Sequence, residues 1–196
     1  MSLNAKIHAC RLCAERFATT KTQHRPRPVA WFQPGTPILI AGQAPGMRVH
    51  ESGKPFDDRS GDRLRDWMGI DKADFYDPAL VSFLPTAFCF PGYDAAGSDL
   101  PPPPICWETW HQEALAQIGK PQVTLIIGSY AIARHLGRKG RLSEIIADWQ
   151  SAPAGTFVLP HPSWRNSGWL RKNPVFEADI LPRIRTAIGA IMAQRR

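Results

Sequence analysis

Cys10 and Cys13 stand two residues apart near the start of the chain, and the other two cysteines, Cys89 and Cys106, lie far downstream with sixteen residues between them. A Cys-x-x-Cys pair lets two thiolates reach one centre. The second pair is too widely spaced for another tight chelate, whereas zinc sites with four cysteines usually come as two close pairs. Iron–sulfur clusters accept ligands arriving from separate loops. The readings at this level are ligation of zinc or an iron–sulfur cluster, which the spacing favours, and unrelated buried thiols. Disulfides are not expected in a chain that shows no export signal.

Two proline-bracketed turns carry the other chemistry. Gly42-Gln43-Ala44-Pro45-Gly46 follows an apolar run, and His161-Pro162-Ser163 follows another. Such strand-end loops are where open α/β folds bind ligands, and a proline-bracketed histidine is a rigid donor. Between them lies Gly53-Lys54-Pro55-Phe56-Asp57-Asp58-Arg59-Ser60-Gly61, a turn-rich stretch whose phenylalanine, expected to be exposed among charges, suggests a binding surface. The first turn holds no acid of its own. The nearest carboxylates are Glu51, Asp57 and Asp58, any of which could orient a water. From His161 to Asn173 aromatic and basic residues alternate, which suits wedging bases and clamping phosphates. Arg25, Arg27, Arg165, Arg171 and Lys172 are the phosphate-contact candidates.

Those turns need elements to hold them. Apolar runs predict strands at Pro37 to Ala41, Ala79 to Leu84, Val123 to Ile127 and Thr156 to Leu159. Helical spacing is read at Ser2 to Glu15, Asp62 to Met68 with Ser60 as N-cap and Gly69 as stop, Ile105 to Ile118, and Tyr130 to Leu136. Phe176, Ile180, Ile184, Ile188 and Ile191 make the tail from Pro174 to Arg196 an amphipathic helix. Thr19 to Pro37 and Met47 to Gly61 read as loops, and Cys89 to Cys106, with its proline run, cannot be a helix interior. Alternating strands and helices predict an α/β fold: a three-layer α/β/α sandwich around a short four-stranded parallel sheet. A single domain over 1–196 is expected, with the cysteine-bearing segment 1–36 packed on it.

Lys and Arg together number 24 against 17 Asp and Glu, a formal charge of +7 and a pI of 9.6. That balance favours an anionic partner such as nucleic acid. No apolar run is long enough to span a bilayer, so a cytoplasmic location with no membrane partner is expected.

Taken together, Gly42-Gln43-Ala44-Pro45-Gly46, Gly53-Lys54-Pro55-Phe56, the four cysteines in their order and His161-Pro162-Ser163 resemble the uracil-DNA glycosylase superfamily. The likeness is nearest to its iron–sulfur, family 4-like members. The resemblance implies a monomeric DNA-repair enzyme that flips a deaminated base, uracil or a related one, out of DNA and hydrolyses its N-glycosidic bond without a lyase step. It implies Cys10, Cys13, Cys89 and Cys106 as ligands of a 4Fe–4S cluster, with zinc the alternative. By the same likeness Gly42, Ala44, Pro45 and Gly46 line the extruded base, Gln43 belongs to the loop that holds the attacking water, Phe56 stacks on the base and His161 donates to its carbonyl. Asp57 is taken as the catalytic carboxylate, Ser163 as a substrate contact, and Arg165, Asn166, Arg171 and Lys172 as DNA contacts.

Two departures stand out. Gln43 and Ala44 occupy places where relatives often carry an acid, and Pro85 stands where family 4 proteins usually offer an asparagine that reads uracil. They leave open a second reading, a DNA-binding or damage-sensing module that keeps the scaffold without catalysis.

Overall fold

The computed structural model describes residues 1–195. Four parallel strands form one sheet: β1 (Ile38–Ala41), β2 (Val81–Phe83), β3 (Val123–Ile127) and β4 (Thr156–Leu159), in the order β2-β1-β3-β4. Ile38 pairs with both Val81 and Val123, and Leu125 pairs with Phe157. Every residue of β1 and β2 is buried, as expected of a parallel sheet covered on both faces. The α/β fold with its four-stranded parallel sheet is therefore the one the sequence implies.

Ten α-helices surround the sheet among the described residues: α1 (Leu3–His8), α2 (Ala14–Ala18), α3 (Met47–Ser52), α4 (Arg59–Met68), α5 (Lys72–Phe75), α6 (Pro104–Ile118), α7 (Gly128–Leu136), α8 (Leu142–Ala147), α9 (Ser167–Lys172) and α10 (Leu181–Ala193). Period-two alternation splits the core at β1. Ile38 and Ile40 bury with Leu64 and Met68 of α4 and Ile184 and Ile188 of α10, whereas Leu39 buries with Ile7 of α1 and Ala114 and Ile118 of α6. Two apolar layers thus lie on opposite faces of the sheet. The segment 1–36 contributes Leu3, Ile7, Ala30 and Phe32 to the second of them.

Several local expectations are corrected. The Ser2 to Glu15 segment is two short helices, because Arg11 donates to the carbonyls of His8 and Cys10 and turns the chain between them. Met47–Ser52 is helical rather than loop. It buries only Val49, too little to leave a periodic signal, and ends at Gly53 with φ +71°. Helix α4 starts earlier than its apolar pattern, since the Asp58 side chain, not Ser60, accepts from the Gly61 N–H at 3.0 Å; Gly69 closes the helix in the left-handed conformation as expected. Helices α5, α8 and α9, only four to six residues long, are too short to carry a periodic apolar signal in the sequence. The tail opens with a wide π turn at Phe176–Ile180 before α10, and Arg196 lies outside the described residues.

Candidate functional site

The carboxyl ends of all four strands meet at one cavity. Its wall takes Ile40 and the Gly42–Gly46 turn after β1, Phe83 and Pro85 at the end of β2, Ile127 at the end of β3 and His161 after β4. Pro55, Phe56, Asp58 and Ser60 close it from the side. This is the place where an open parallel sheet binds ligands. A second hollow continues outward from it, sharing Gln43, Ala44, Pro45 and His161 and adding Ser163, Arg165, Asn166 and Asp99.

The first turn is held from behind. The Thr86 backbone N–H and hydroxyl both donate to the Gly42 carbonyl, at 2.9 and 3.0 Å, and the Ala87 N–H donates to Gln43 at 3.1 Å. The Gly46 carbonyl in turn accepts from the His50 N–H at 2.9 Å, so the turn is anchored at both ends.

Phe56 is half-buried rather than exposed, with its ring packed against Phe75 and Phe83. Its φ of +52° lies in the left-handed region that a bulky residue rarely adopts. Two neighbours enforce it. The Tyr76 hydroxyl donates to the Pro55 carbonyl at 2.8 Å. Gly61 packs so closely that a Cβ there would lie 2.8 Å from the Phe56 carbonyl carbon and 3.0 Å from its Cβ.

His161 is positioned by its own loop. The Ser163 N–H donates to Nδ1 at 3.2 Å, and the Asn166 side chain donates to the His161 carbonyl at 2.7 Å. A nitrogen that accepts from a backbone N–H carries no proton in the neutral ring, so Nε2 holds it and is a donor. Burial lowers the imidazole pKa while the Asp58 charge pulls the other way, and the net direction is down. The ring is therefore neutral near pH 7, a hydrogen-bond donor without a formal charge. Arg63 ties the loop to α4 by donating to the Ser163 carbonyl at 3.1 Å.

Of the residues singled out from sequence, Gly42, Gln43, Ala44, Pro45, Gly46, Phe56 and His161 line the inner cavity, and Ser163, Arg165 and Asn166 line its outer continuation. Arg171 and Lys172 sit exposed in the last turn of α9. Asp57 is not among the residues lining the inner cavity; its neighbour Asp58 is, along with Ser60 and Val49. Asp58 is held there as the N-cap of α4, its carboxylate accepting from the Gly61 N–H. Trp164 stands on the rim at 69% exposure with the Arg165 guanidinium over its ring.

The four cysteines gather around a second, apolar cavity. Cys10 and Cys13 enter from the turn between α1 and α2, Cys89 from the chain beyond β2 and Cys106 from the first turn of α6. All four are free thiols; burial raises the pKa of Cys13 and of Cys89, and pushes that of Cys106 up to about 12. Thiols held neutral by an apolar wall become thiolates when a cation compensates the charge. Among the described residues no three His, Cys, Asp or Glu side chains are grouped to hold a single metal ion. The donor set suits a soft centre, and Cys10, Cys13, Cys89 and Cys106 are the residues that would hold it.

The family model for the uracil DNA glycosylase superfamily matches residues 29–185, and the chain belongs to that superfamily. Members of the superfamily are typically hydrolytic DNA glycosylases of base excision repair, acting on DNA. Among the described residues no helix is long and apolar enough to cross a membrane.

Proposed function

We propose that this protein flips a deaminated base, uracil or a related one, out of DNA and hydrolyses its N-glycosidic bond. The observation that carries the reading is the convergence of Phe56, Asp58 and a tautomer-fixed His161 on one cavity at the strand ends. A flipped base needs an aromatic face and polar groups aimed at its edge; Phe56 supplies the first, with the Gly42–Gly46 main chain along the other side. As the bond between the base nitrogen and the sugar C1′ breaks, the electron pair stays on the base. The Nε2–H of His161 is placed to bond the base carbonyl where that charge collects. Asp58 replaces Asp57 in the role expected for a carboxylate: it stabilises the sugar cation and takes the proton of the water that adds to C1′, with Gln43 at the mouth to orient that water. The products are a free base and an abasic site. No lysine lines the cavity among the described residues, which supports hydrolysis without a lyase step.

The rim supports DNA contact. Arg165, Asn166, Arg171 and Lys172 are assigned to the phosphates, and Ser163 lies between rim and cavity. The cysteine cavity is assigned to a 4Fe–4S cluster, as in the family 4-like members, with zinc the alternative. When bound, a fully ligated centre supplies structural cross-linking: its ligands tie the turn after α1 to the chain beyond β2 and to α6.

Base release from duplex and single-stranded oligonucleotides carrying uracil, hypoxanthine, xanthine or mismatched thymine tests this reading. Release by the wild type, slowed about 10²- to 10³-fold in His161→Ala, is expected from the loss of one donor at a developing anion. Pro85 in the cavity wall favours the second reading, a damage-sensing module, because a proline ring cannot read a base edge. No release on any substrate would select it.

A further inference from the structure

We propose that Tyr76 is a positioning residue for base excision, acting through the peptide that joins Pro55 to Phe56. The inference rests on the assignment of Phe56 as the aromatic face for the flipped base. The Tyr76 hydroxyl donates to the Pro55 carbonyl at 2.8 Å from 21 residues away, at the C-terminal end of α5. That carbonyl lies in the same peptide plane as the Phe56 N–H. Rotation about the Phe56 N–Cα bond swings the plane relative to the ring, so fixing the oxygen fixes φ. Phe56 is one of only two non-glycine residues with positive φ among those described, and its value of +52° is one the chain would leave if released.

The tyrosine is itself immobilised. Its ring meets Phe75, Trp31 and Phe83 at centroid distances of 5.1, 5.8 and 6.4 Å, and the Lys54 ammonium lies 4.0 Å above it. The Arg65 guanidinium sits 6.0 Å from the same ring. A hydroxyl on so constrained a ring reaches one acceptor and holds it. Gly61 completes the clamp by admitting the Phe56 carbonyl where any Cβ would collide with it. Tyr76 lies outside the set of residues lining the base cavity, so its effect on chemistry passes through Phe56.

Tyr76→Phe removes the hydroxyl and keeps the ring. The expected result is a single-turnover excision rate about 10-fold below wild type, with unchanged affinity for undamaged duplex. In a Phe56→Ala background the same substitution should change the rate less than two-fold, a non-additivity that general destabilisation would not produce. Hydrogen exchange of the 53–58 segment in the free protein should be faster in Tyr76→Phe. A wild-type excision rate in Tyr76→Phe, or a penalty that persists undiminished with Ala at position 56, overturns the inference. If Phe56→Ala alone excises as fast as wild type, the aromatic role of Phe56 fails and takes the inference with it. If the wild type releases no base at all, the excision reading fails separately, and unchanged exchange in Tyr76→Phe then rules out the clamp as well.

Discussion

Replacing Gly61 by alanine tests the geometry of the Phe56 turn because two effects of opposite sign compete at that position. Gly61 lies in the first turns of α4 with no positive φ, and in an ordinary helix Gly→Ala stabilises by about 1 kcal/mol. Here the new Cβ meets backbone rather than the free end of a side chain. The nearest atom is the Phe56 carbonyl oxygen, which the Cβ would overlap, and restoring an ordinary contact to it needs a backbone shift of more than about 1 Å. Overpacking costs about 1–3 kcal/mol and occasionally more; a backbone displacement this large falls at the upper end, so the net change is a destabilisation of about 2 kcal/mol or more. In a chain of this length each kcal/mol lowers Tm by about 2–4 °C, giving a fall of at least about 4–8 °C. Catalysis is hit harder, because a misplacement of about 1 Å in a site costs on the order of 10²-fold, and both Phe56 and Asp58, whose carboxylate caps the Gly61 N–H, move with the turn. Thermal melts paired with single-turnover base release would show a variant that stays folded and loses about 10- to 100-fold in rate. A Gly61→Ala protein more stable than wild type and fully active would refute the packing argument.

Two further outcomes follow from burial. His135 is largely buried, its Nε2 has no hydrogen-bond partner among the described residues, and burial pushes its pKa down to about 4, with His111 adding in the same direction. The unfolded chain binds that proton below about pH 6.5, so stability is intact above that pH and lost as pH falls toward 4, by about 2 kcal/mol at pH 5. His135→Gln should shrink the Tm difference between pH 7.5 and pH 5 by about 4–8 °C; an unchanged difference would place the acid sensitivity elsewhere. Cys89→Ser removes the most buried of the four thiols, at 9% exposure, and should reduce soluble yield and abolish any visible absorption of freshly purified protein, whereas normal yield and colour would reject ligation there.

The strands were legible because each apolar run ends at a glycine or proline that stops it. Thr156–Leu159 has the predicted bounds, and Val81–Phe83 is shorter chiefly because Ala79 and Leu80 lie in a turn, where the Leu80 N–H donates to the Asp77 carbonyl. The two cavity loops were legible for the same reason, since Gly42–Gly46 and His161–Ser163 adjoin strands whose ends the parallel topology gathers together. What did not show was anything decided by one backbone torsion or one distant side chain. Asp57 and Asp58 are chemically alike and adjacent, and only the folded turn after Phe56 distinguishes Asp58, which caps α4 and lines the cavity. That turn depends on Tyr76 and Gly61, neither of which carries a local signal. The break between α1 and α2 depends on Arg11 folding back onto two carbonyls. The convergence of Cys89 and Cys106, sixteen residues apart, follows from the start of α6 lying beside the chain that leaves β2.

The two cavities share a wall, so a centre held by the cysteines, as proposed, would bear on the strand-end site through that wall. Pro85 lines the strand-end cavity, Thr86 and Ala87 bond the carbonyls of Gly42 and Gln43, and Cys89 lines the cysteine cavity. Five consecutive residues therefore connect the thiols to the turn proposed to lie along the base. His111 braces the same segment from behind, at 1% exposure and stacked between Trp107 and Phe88. Burial lowers its pKa, and a neutral ring donates from one nitrogen only. The 2.7 Å contact from Nε2 to the Pro85 carbonyl is the better bond, and the Cys106 carbonyl at 3.3 Å from Nδ1 is the poorer one. With its carbonyl engaged by His111, Pro85 offers the cavity only its ring. The wall at Pro85 is thus apolar as a consequence of how the segment is anchored, and on the proposed function the polar reading of a base falls to Gln43, Asp58, Ser60 and His161.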